Sequence, residues 1–548
     1  MSIDNIKNFI NRHPLLITYS IVFFIGLFFS LWVIRSGMIE GHDMIFHMSR
    51  IEGIRDSIIN GDYQALIHVG LYGYGYANGL FYGNLLFYIP ALFSFKLSLI
   101  NSYKIYVLLC TFLSSLTMFW CMKGITKSNK AALLGSLFYS ACSYKACDFI
   151  IRSAAGEMGA FIFLPLIVLG FYYIVYDDYK KWFWFSIGFV GIIQCHLIST
   201  LLIFVAILIM LIINWERFIK EKERFYALLT SGVVGLLVGG HFIFPLLEGL
   251  SKNNLVASSA NTFESWTRTI PFERLFLGFP YYNTNGFTPP GIGLLYFVLL
   301  LFRFKIKINK NDKLIKFCDL SAIIGIASLL SATDLFPWRE IEFIRAIQFP
   351  WRFYLIASLF IIISSTIVTY YYLKDKKKND IIKFIIPAII VSIIPFCIIE
   401  NHYHNNVIYK YEGFDVINGE YLPKGTNIQE LGKRGEIVTS NNQDIKLEME
   451  KKGNDVLVKY SNNNSKDTYI DVPLLNYYGY TAIDQNNKKL KIINGDNNII
   501  RVNLEDENGS VVVYYKGTFI QKISLILSII STIGLIIYLY RRKDLLKL

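Results

Sequence analysis

Apolar residues run along this chain in long unbroken blocks, with the polar residues gathered between them. The first block reaches from about Leu15 to Ile34, and the last from about Phe519 to Tyr540. Many blocks attain the roughly 17–25 residues that cross a bilayer. In lipid the backbone must satisfy its own hydrogen bonds, which selects helices. The pattern predicts a polytopic α-helical membrane protein of about twelve transmembrane helices.

Basic residues in the short connections set the expected orientation, because loops rich in Lys and Arg stay in the cytoplasm. Lys7 and Arg12 precede the first block. Further basic loops lie at Lys123–Lys130, Lys180–Lys181, Arg217–Arg224, Arg303–Lys316, Lys374–Lys378 and Arg541–Lys543. With these inside, both termini are expected in the cytoplasm, and outer loops fall at 35–103, 147–159, 248–290 and 334–350. The run from Trp182 to Asn214 is too long for one span and has basic flanks, so it reads as a hairpin or broken pair turning near Cys195-His196. Leu80 to Leu97 is apolar enough to span, but a span there would invert every later loop. It reads as a re-entrant or interfacial element.

Two stretches depart from the block pattern. Between Gly41 and Asn60 the positions Met44, Met48, Ile51, Ile54 and Ile58 recur at helical spacing, which predicts an amphipathic helix at the membrane surface. Asp43, His47 and Arg50 share one flank of it. Residues 401–516 are rich in Asn, Lys, Asp and Gly. Strand-like runs such as Asp455–Tyr460 and Ser510–Tyr515 alternate there with turn signals such as Asn494-Gly495. The chain thus divides into a multi-span region at 1–400, a small mainly-β outer domain at 401–516, and a final helix with a basic tail at 517–548.

Composition agrees with the pattern. The chain is 53% hydrophobic, and its mean hydropathy is +0.41. The net charge of +13 could suggest nucleic acid, but it sits in the short loops, so no nucleic-acid partner is expected. The seven cysteines (Cys110, Cys121, Cys142, Cys147, Cys195, Cys318 and Cys397) lie in or beside apolar blocks, without disulfide or zinc spacing.

Charged residues at the ends of apolar blocks are the candidates for chemistry. Ile39-Glu40-Gly41-His42-Asp43 follows the first block, with His47 and Arg50 next to it. Glu40 and Asp43 are either solvated loop charges or carboxylates able to take a proton from an attacking hydroxyl. A metal site from His42, Asp43 and His47 is the weaker alternative. Arg152 and Glu157 flank a small-residue stretch, Ser153-Ala154-Ala155-Gly156, and form either a structural ion pair or a phosphate-binding and positioning pair. His196 is either a hydrogen-bonded core histidine or a site wall. Arg345 and Arg352 frame Gln348-Phe349-Pro350-Trp351 on an expected outer face, where the positive-inside rule does not explain them. They either snorkel to lipid or bind phosphate.

These segments carry a resemblance. Gly41-His42-Asp43 with His47 and Arg50, Leu80–Pro90, Arg152–Glu157, Gln348–Arg352, Gly419-Glu420-Tyr421-Leu422-Pro423 and Leu474–Ala482 together resemble the bacterial YfhO-type membrane proteins, which include sequences labelled 6-pyruvoyl-tetrahydropterin-synthase-related membrane proteins. That family resembles the GT-C class of glycosyltransferases. The resemblance implies a GT-C-like enzyme of the bacterial cell membrane that takes a sugar from a polyprenyl-phosphate carrier and passes it to an extracytoplasmic glycopolymer such as teichoic acid or surface polysaccharide. It also implies a separate enzyme that charges the carrier. Asp43 is then the expected catalytic carboxylate, with Glu40 and Glu157 as further acids. His47, Arg50, Arg152, His196, Arg345 and Arg352 are the expected donor-phosphate and substrate contacts. Many members of the class carry two adjacent acids in the first loop, and here Glu40 and Asp43 are separated. No metal and no cofactor are expected. The rival expectations are a lipid-linked sugar flippase or transporter, and a non-catalytic envelope assembly factor.

Overall fold

The computed structural model describes residues 12–257, 264–283, 286–307, 312–411, 413, 419–461 and 468–547. Lys7, part of the expected 248–290 loop and part of the Arg303–Lys316 loop lie outside the described residues. The chain is mostly helical, and the start of several helices is legible in a capping residue. Helix α1 (Pro14–Phe28) opens on a proline, and α2 (Met44–Ile59) follows a short strand, β1 (Met38–Ile39). Ser98 and Ser128 each accept a hydrogen bond from a backbone amide three residues on, starting α3 (Leu99–Thr126) and α4 (Asn129–Ala141). Helix α5 (Ala155–Tyr176) runs through the centre.

Helices α6 (Phe183–Ile193) and α7 (Leu197–Ile213) are separated by Gln194–His196, so the long apolar run is a broken pair, as its length predicts. Helices α8 (Lys222–Val238) and α9 (Gly240–Lys252) are bent by 72° at their junction. There follow α10 (Leu294–Leu301), α11 (Lys313–Leu330), α12 (Phe353–Leu373), α13 (Lys378–Tyr403) and α14 (Phe519–Arg541). The last begins in a capping box, with Thr518 and Gln521 satisfying each other's backbone amides.

Among the described residues, five helices are long and apolar enough to cross a membrane: α3, α5, the run Pro350–Leu373 that contains α12, α13 and α14. The bent pair α8–α9 makes a sixth if it is one span, and α1 and α7 are shorter apolar helices. On length and composition this falls short of about twelve, because several apolar blocks are divided. Leu80–Leu97 forms only short helices, Asn78–Phe81 and Tyr88–Phe93. Helices α5 and Pro350–Leu373 are 94% and 89% buried over their most apolar windows, against 17% for α13 and 11% for α14. The first two form the core of the bundle. The last two expose Ile and Leu along their length, which a bilayer solvates and water would not. The chain is therefore a membrane protein.

The described residues between 439 and 515 form antiparallel sheets. Strands β2 (Tyr281–Asn283) and β3 (Gly286–Thr288) make a separate hairpin, and β4 (Val407–Ile408) pairs with β1. In the C-terminal region the strands are β5 (Thr439–Ser440), β6 (Lys446–Lys452), β7 (Asp455–Ser461), β8 (Tyr469–Leu475), β9 (Tyr480–Asp484), β10 (Lys489–Leu490), β11 (Ile492–Asn494), β12 (Ile499–Asn503) and β13 (Asn508–Tyr515). One sheet has the order β10-β9-β13-β7-β6 and the other β11-β12-β8-β5. Val456 and Val458 of β7 sit opposite Val513 and Val511 of β13, and all four are buried. This period-two alternation fixes the register.

The β region rests on the glycine- and tyrosine-rich loop before Leu80. Leu475 N donates to Tyr74 O at 2.9 Å, Tyr74 Oη to Gly435 O at 2.7 Å, and Asn454 Nδ2 to Ile67 O at 2.8 Å. Ile67, Leu71 and Tyr74 share one apolar core with Leu474 and Leu475.

Candidate functional site

Asp43 is held in place by its neighbours' backbone. His42 N donates to Ile151 O at 3.1 Å and Asp43 N donates to Arg152 O at 2.8 Å. This pairing needs a glycine at position 41, where a Cβ would lie 2.2 Å from Ser153 Oγ. Ser153 itself adopts φ +49, an uncommon backbone state for a residue with a side chain. Asp43 is the N-cap residue of α2, yet its carboxylate does not accept the cap hydrogen bond. It faces a cleft of about 840 Å³ instead. Burial pushes its pKa above the ordinary 3.8, and the nearby Arg152 and Arg352 guanidinium groups pull it back down.

Behind Asp43 lies a buried ionic cluster. A π-helical turn at Cys147–Ile151 brings Asp148 one turn from Arg152, and Arg152 Nη1 meets Asp148 Oδ1 at 2.6 Å and Glu157 Oε1 at 2.9 Å. Such π-turns recur at functional sites. Tyr144 Oη donates to Glu157 Oε2 at 2.8 Å, and Arg352 Nε approaches Glu157 Oε1 at 3.6 Å. Arg352 also donates to Ile347 O at 2.7 Å and Gln348 Oε1 at 2.8 Å. Glu157 is 1% exposed and Asp148 0%. Removing one partner of such a cluster leaves an uncompensated buried charge, at a cost of about 3–5 kcal/mol.

The other cleft walls come from α2, the Tyr82-Gly83 turn, the α6–α7 break and the segment 420–424. His47 is buried, with its ring stacked on Phe87 at 5.8 Å. Burial, reinforced by Arg50, His196 and Arg152, pushes its pKa well below 6.5. His196 Nδ1 meets Ser199 Oγ at 2.7 Å and caps α7 while lining the cleft. Glu420, Tyr421 and Lys424 close the remaining side.

A smaller cavity of about 430 Å³ shares Asp43, Arg152 and Phe349 with the main cleft. It adds His42, Thr267, Arg268, Thr288, Phe287 and Trp351, and the Phe349 and Trp351 rings stack at 4.6 Å.

The structure thus brings Asp43, His47, Arg152, Glu157, His196 and Arg352 to one cleft. Three residues expected with them lie elsewhere. Glu40 is exposed and extends β1, its amide donating to Asn406 O at 2.8 Å. Arg50 is 0% exposed and sits between the Tyr82 and Phe87 rings at 4.2 and 3.9 Å, donating to Gly83 O at 2.7 Å. It braces the turn and does not line the cleft, because the i+3 step from His47 carries it toward the core. Arg345 donates to Arg339 O at 3.1 Å and lies over the Trp266 ring at 4.9 Å, while the cleft takes Ala346 and Gln348 from the same turn.

Asp148 and Glu420 were not singled out from the sequence. Asp148 lies inside an apolar run four residues before Arg152, a helical ion-pair spacing that could have marked it. Glu420 belongs to a segment whose only signal was its resemblance. Among the described residues, no group of three His, Cys, Asp or Glu side chains is arranged to hold a metal ion.

A helical membrane bundle, a buried Arg–carboxylate cluster and a free carboxylate at the mouth of a cleft define an integral membrane protein with a polar site at one end of its helices. The chain belongs to the family described as bacterial membrane protein YfhO, whose profile matches residues 72–413. A comparison with curated proteins gives no match.

Proposed function

We propose that this protein is a GT-C-like glycosyltransferase of the bacterial cell membrane, moving a sugar from a polyprenyl-phosphate carrier to an extracytoplasmic acceptor such as teichoic acid or surface polysaccharide. The observation that carries the reading is Asp43, an uncapped carboxylate between Arg152 and Arg352 at the junction of two cavities. A transferase for two substrates needs such a junction. The larger cleft suits the donor: Arg352 and Lys424 supply positive charge for a phosphate, and Phe46, Ile193, Leu197 and Ile198 supply apolar wall for the first units of a lipid. The smaller one suits an acceptor, with threonine hydroxyls and stacked rings.

In this mechanism Asp43 takes the proton of an acceptor hydroxyl. The oxygen attacks the anomeric carbon, the bond from that carbon to the phosphate oxygen breaks, and polyprenyl phosphate leaves with the electron pair. Arg352 stabilises the charge on the leaving phosphate. Arg152, already neutralised by Asp148 and Glu157, positions Asp43 through its own backbone carbonyl. The cleft and the β region then face outward, and both termini face the cytoplasm.

The first test is complementation of a strain lacking this protein with Asp43→Asn, scored by the sugar content of the surface polymer at equal membrane abundance. Loss of the sugar supports the reading, and full retention removes Asp43 from the chemistry. The bend of 72° between α8 and α9 favours a second reading, a flippase for lipid-linked sugars, because transporters use broken helices. Vesicle transport of a labelled lipid-linked sugar that survives Asp43→Asn would favour it.

A further inference from the structure

Beside Asp43 and Glu157, the cleft holds a third carboxylate, which the mechanism does not use. Glu420 lines it on a segment tied down from both sides. Ala257 N donates to Glu420 O at 2.8 Å, Val256 N donates to Leu422 O at 3.0 Å, and Leu255 pairs with Pro423 in an antiparallel bridge. The Tyr421 ring stacks on Phe81 at 5.5 Å. Tyr421 N donates to Tyr76 Oη at 3.2 Å, and Tyr421 O accepts from Tyr477 Oη at 3.0 Å. Glu420 is therefore fixed in the cleft and is not a passing loop charge.

Facing it is Gln348, which adopts φ +67. A residue with a side chain adopts that state at a cost, and such strain gathers at binding sites. Gln348 Oε1 accepts from Arg352 Nη1 at 2.8 Å, so its amide N–H groups turn the other way. Glu420 lines the same cleft. Among the described residues no salt bridge joins Glu420 to an arginine: Arg152 meets Glu157 at 2.9 Å and Arg352 meets it at 3.6 Å, while the Arg352 charge acts on Glu420 through space. Glu420 is thus a cleft-lining carboxylate on a braced segment, with no salt bridge among the described residues and acceptor sites left for a ligand.

We propose that Glu420, on its braced segment across the cleft from Asp43, accepts hydrogen bonds from hydroxyl groups of the transferred sugar and selects an uncharged, hydroxyl-rich sugar over an anionic one. The proposal rests on the reading of the cleft as a sugar-phosphate site. Arg352 and Glu420 line one cleft, so a sugar phosphate bound there could set its phosphate on the first and its ring hydroxyls on the second. A carboxylate accepts hydrogen bonds and donates none. A neutral hexose supplies the donors, whereas a uronic acid would bring a like charge against Glu420 and Asp43.

The test is equilibrium binding of polyprenyl phosphate and of a polyprenyl-phospho-hexose to the full chain in detergent. The wild type should prefer the hexose lipid. Glu420→Gln and Glu420→Ala should each lower that preference about 10-fold, the size of one hydrogen bond to a charged group. Arg352→Gln should weaken both lipids alike. A preference unchanged in the isosteric Glu420→Gln overturns the proposal while leaving the sugar-phosphate reading in place. A wild type that binds neither lipid overturns that reading and the proposal with it.

Discussion

An aspartate at the start of a helix ordinarily caps it, and Asp43 does not. Its carboxylate is left to the cleft, and its raised pKa has a direct consequence. A base must be deprotonated to work, so the acid limb of kcat/KM should fall at a pH above the ordinary 3.8. Replacing Arg352 with Gln removes a charge that holds the pKa down, so that limb should move further up. A limb that stays fixed would separate Asp43 from Arg352. Arg50 tests the opposite assignment. It is buried between two rings, so Arg50→Ala should lower the thermal midpoint through a loss of about 2 kcal/mol or more. An unchanged midpoint with weaker donor binding would return Arg50 to the site. Charges at the ends of apolar blocks made Asp43, Arg152, Glu157 and Arg352 visible in the sequence. Glu40 and Arg50 carry the same signal, and one-dimensional spacing could not show that a strand edge takes the first and an aromatic stack the second.

At the scale of elements, the break between α6 and α7 and the amphipathic α2 were legible, the first from length and the second from period. The packing of the Tyr82-Gly83 turn into that break was not, because it depends on a contact between segments more than a hundred residues apart. A Cβ on Gly83 would lie 2.2 Å from Gln194 O, which is backbone and cannot swing aside. Gly83→Ala should therefore displace the turn from the α6–α7 break. The expected result is loss of activity with lowered stability. Wild-type activity in this variant would mean that the turn does not set the cleft wall. Chain length and apolarity also gave about twelve spans, and the helices that meet both criteria are fewer. A run of apolar residues reports burial in something apolar, and in a bundle that is protein as often as lipid.

For the whole molecule, the relation between the bundle and the β region governs the site. The β strands were readable from alternation and turn residues, but the contribution of residues 420–424 to a cleft among helices was not, since nothing in their composition differs from an ordinary loop. The proposed orientation places this region outside. In a Cys397→Ser background, which removes the exposed native thiol, Asn486→Cys should react with an impermeant maleimide on intact cells, and Lys374→Cys only after permeabilisation. The reverse pattern would put the cleft on the cytoplasmic side and remove an extracytoplasmic acceptor.

The most direct measurement is transfer of radiolabelled sugar from a synthetic polyprenyl-phospho-hexose to a glycopolymer acceptor by the purified chain in vesicles, wild type beside Asp43→Asn. The account predicts labelled polymer from the wild type and a loss of about 100-fold or more in Asp43→Asn, the scale of a missing general base. Equal transfer by the two proteins would contradict it.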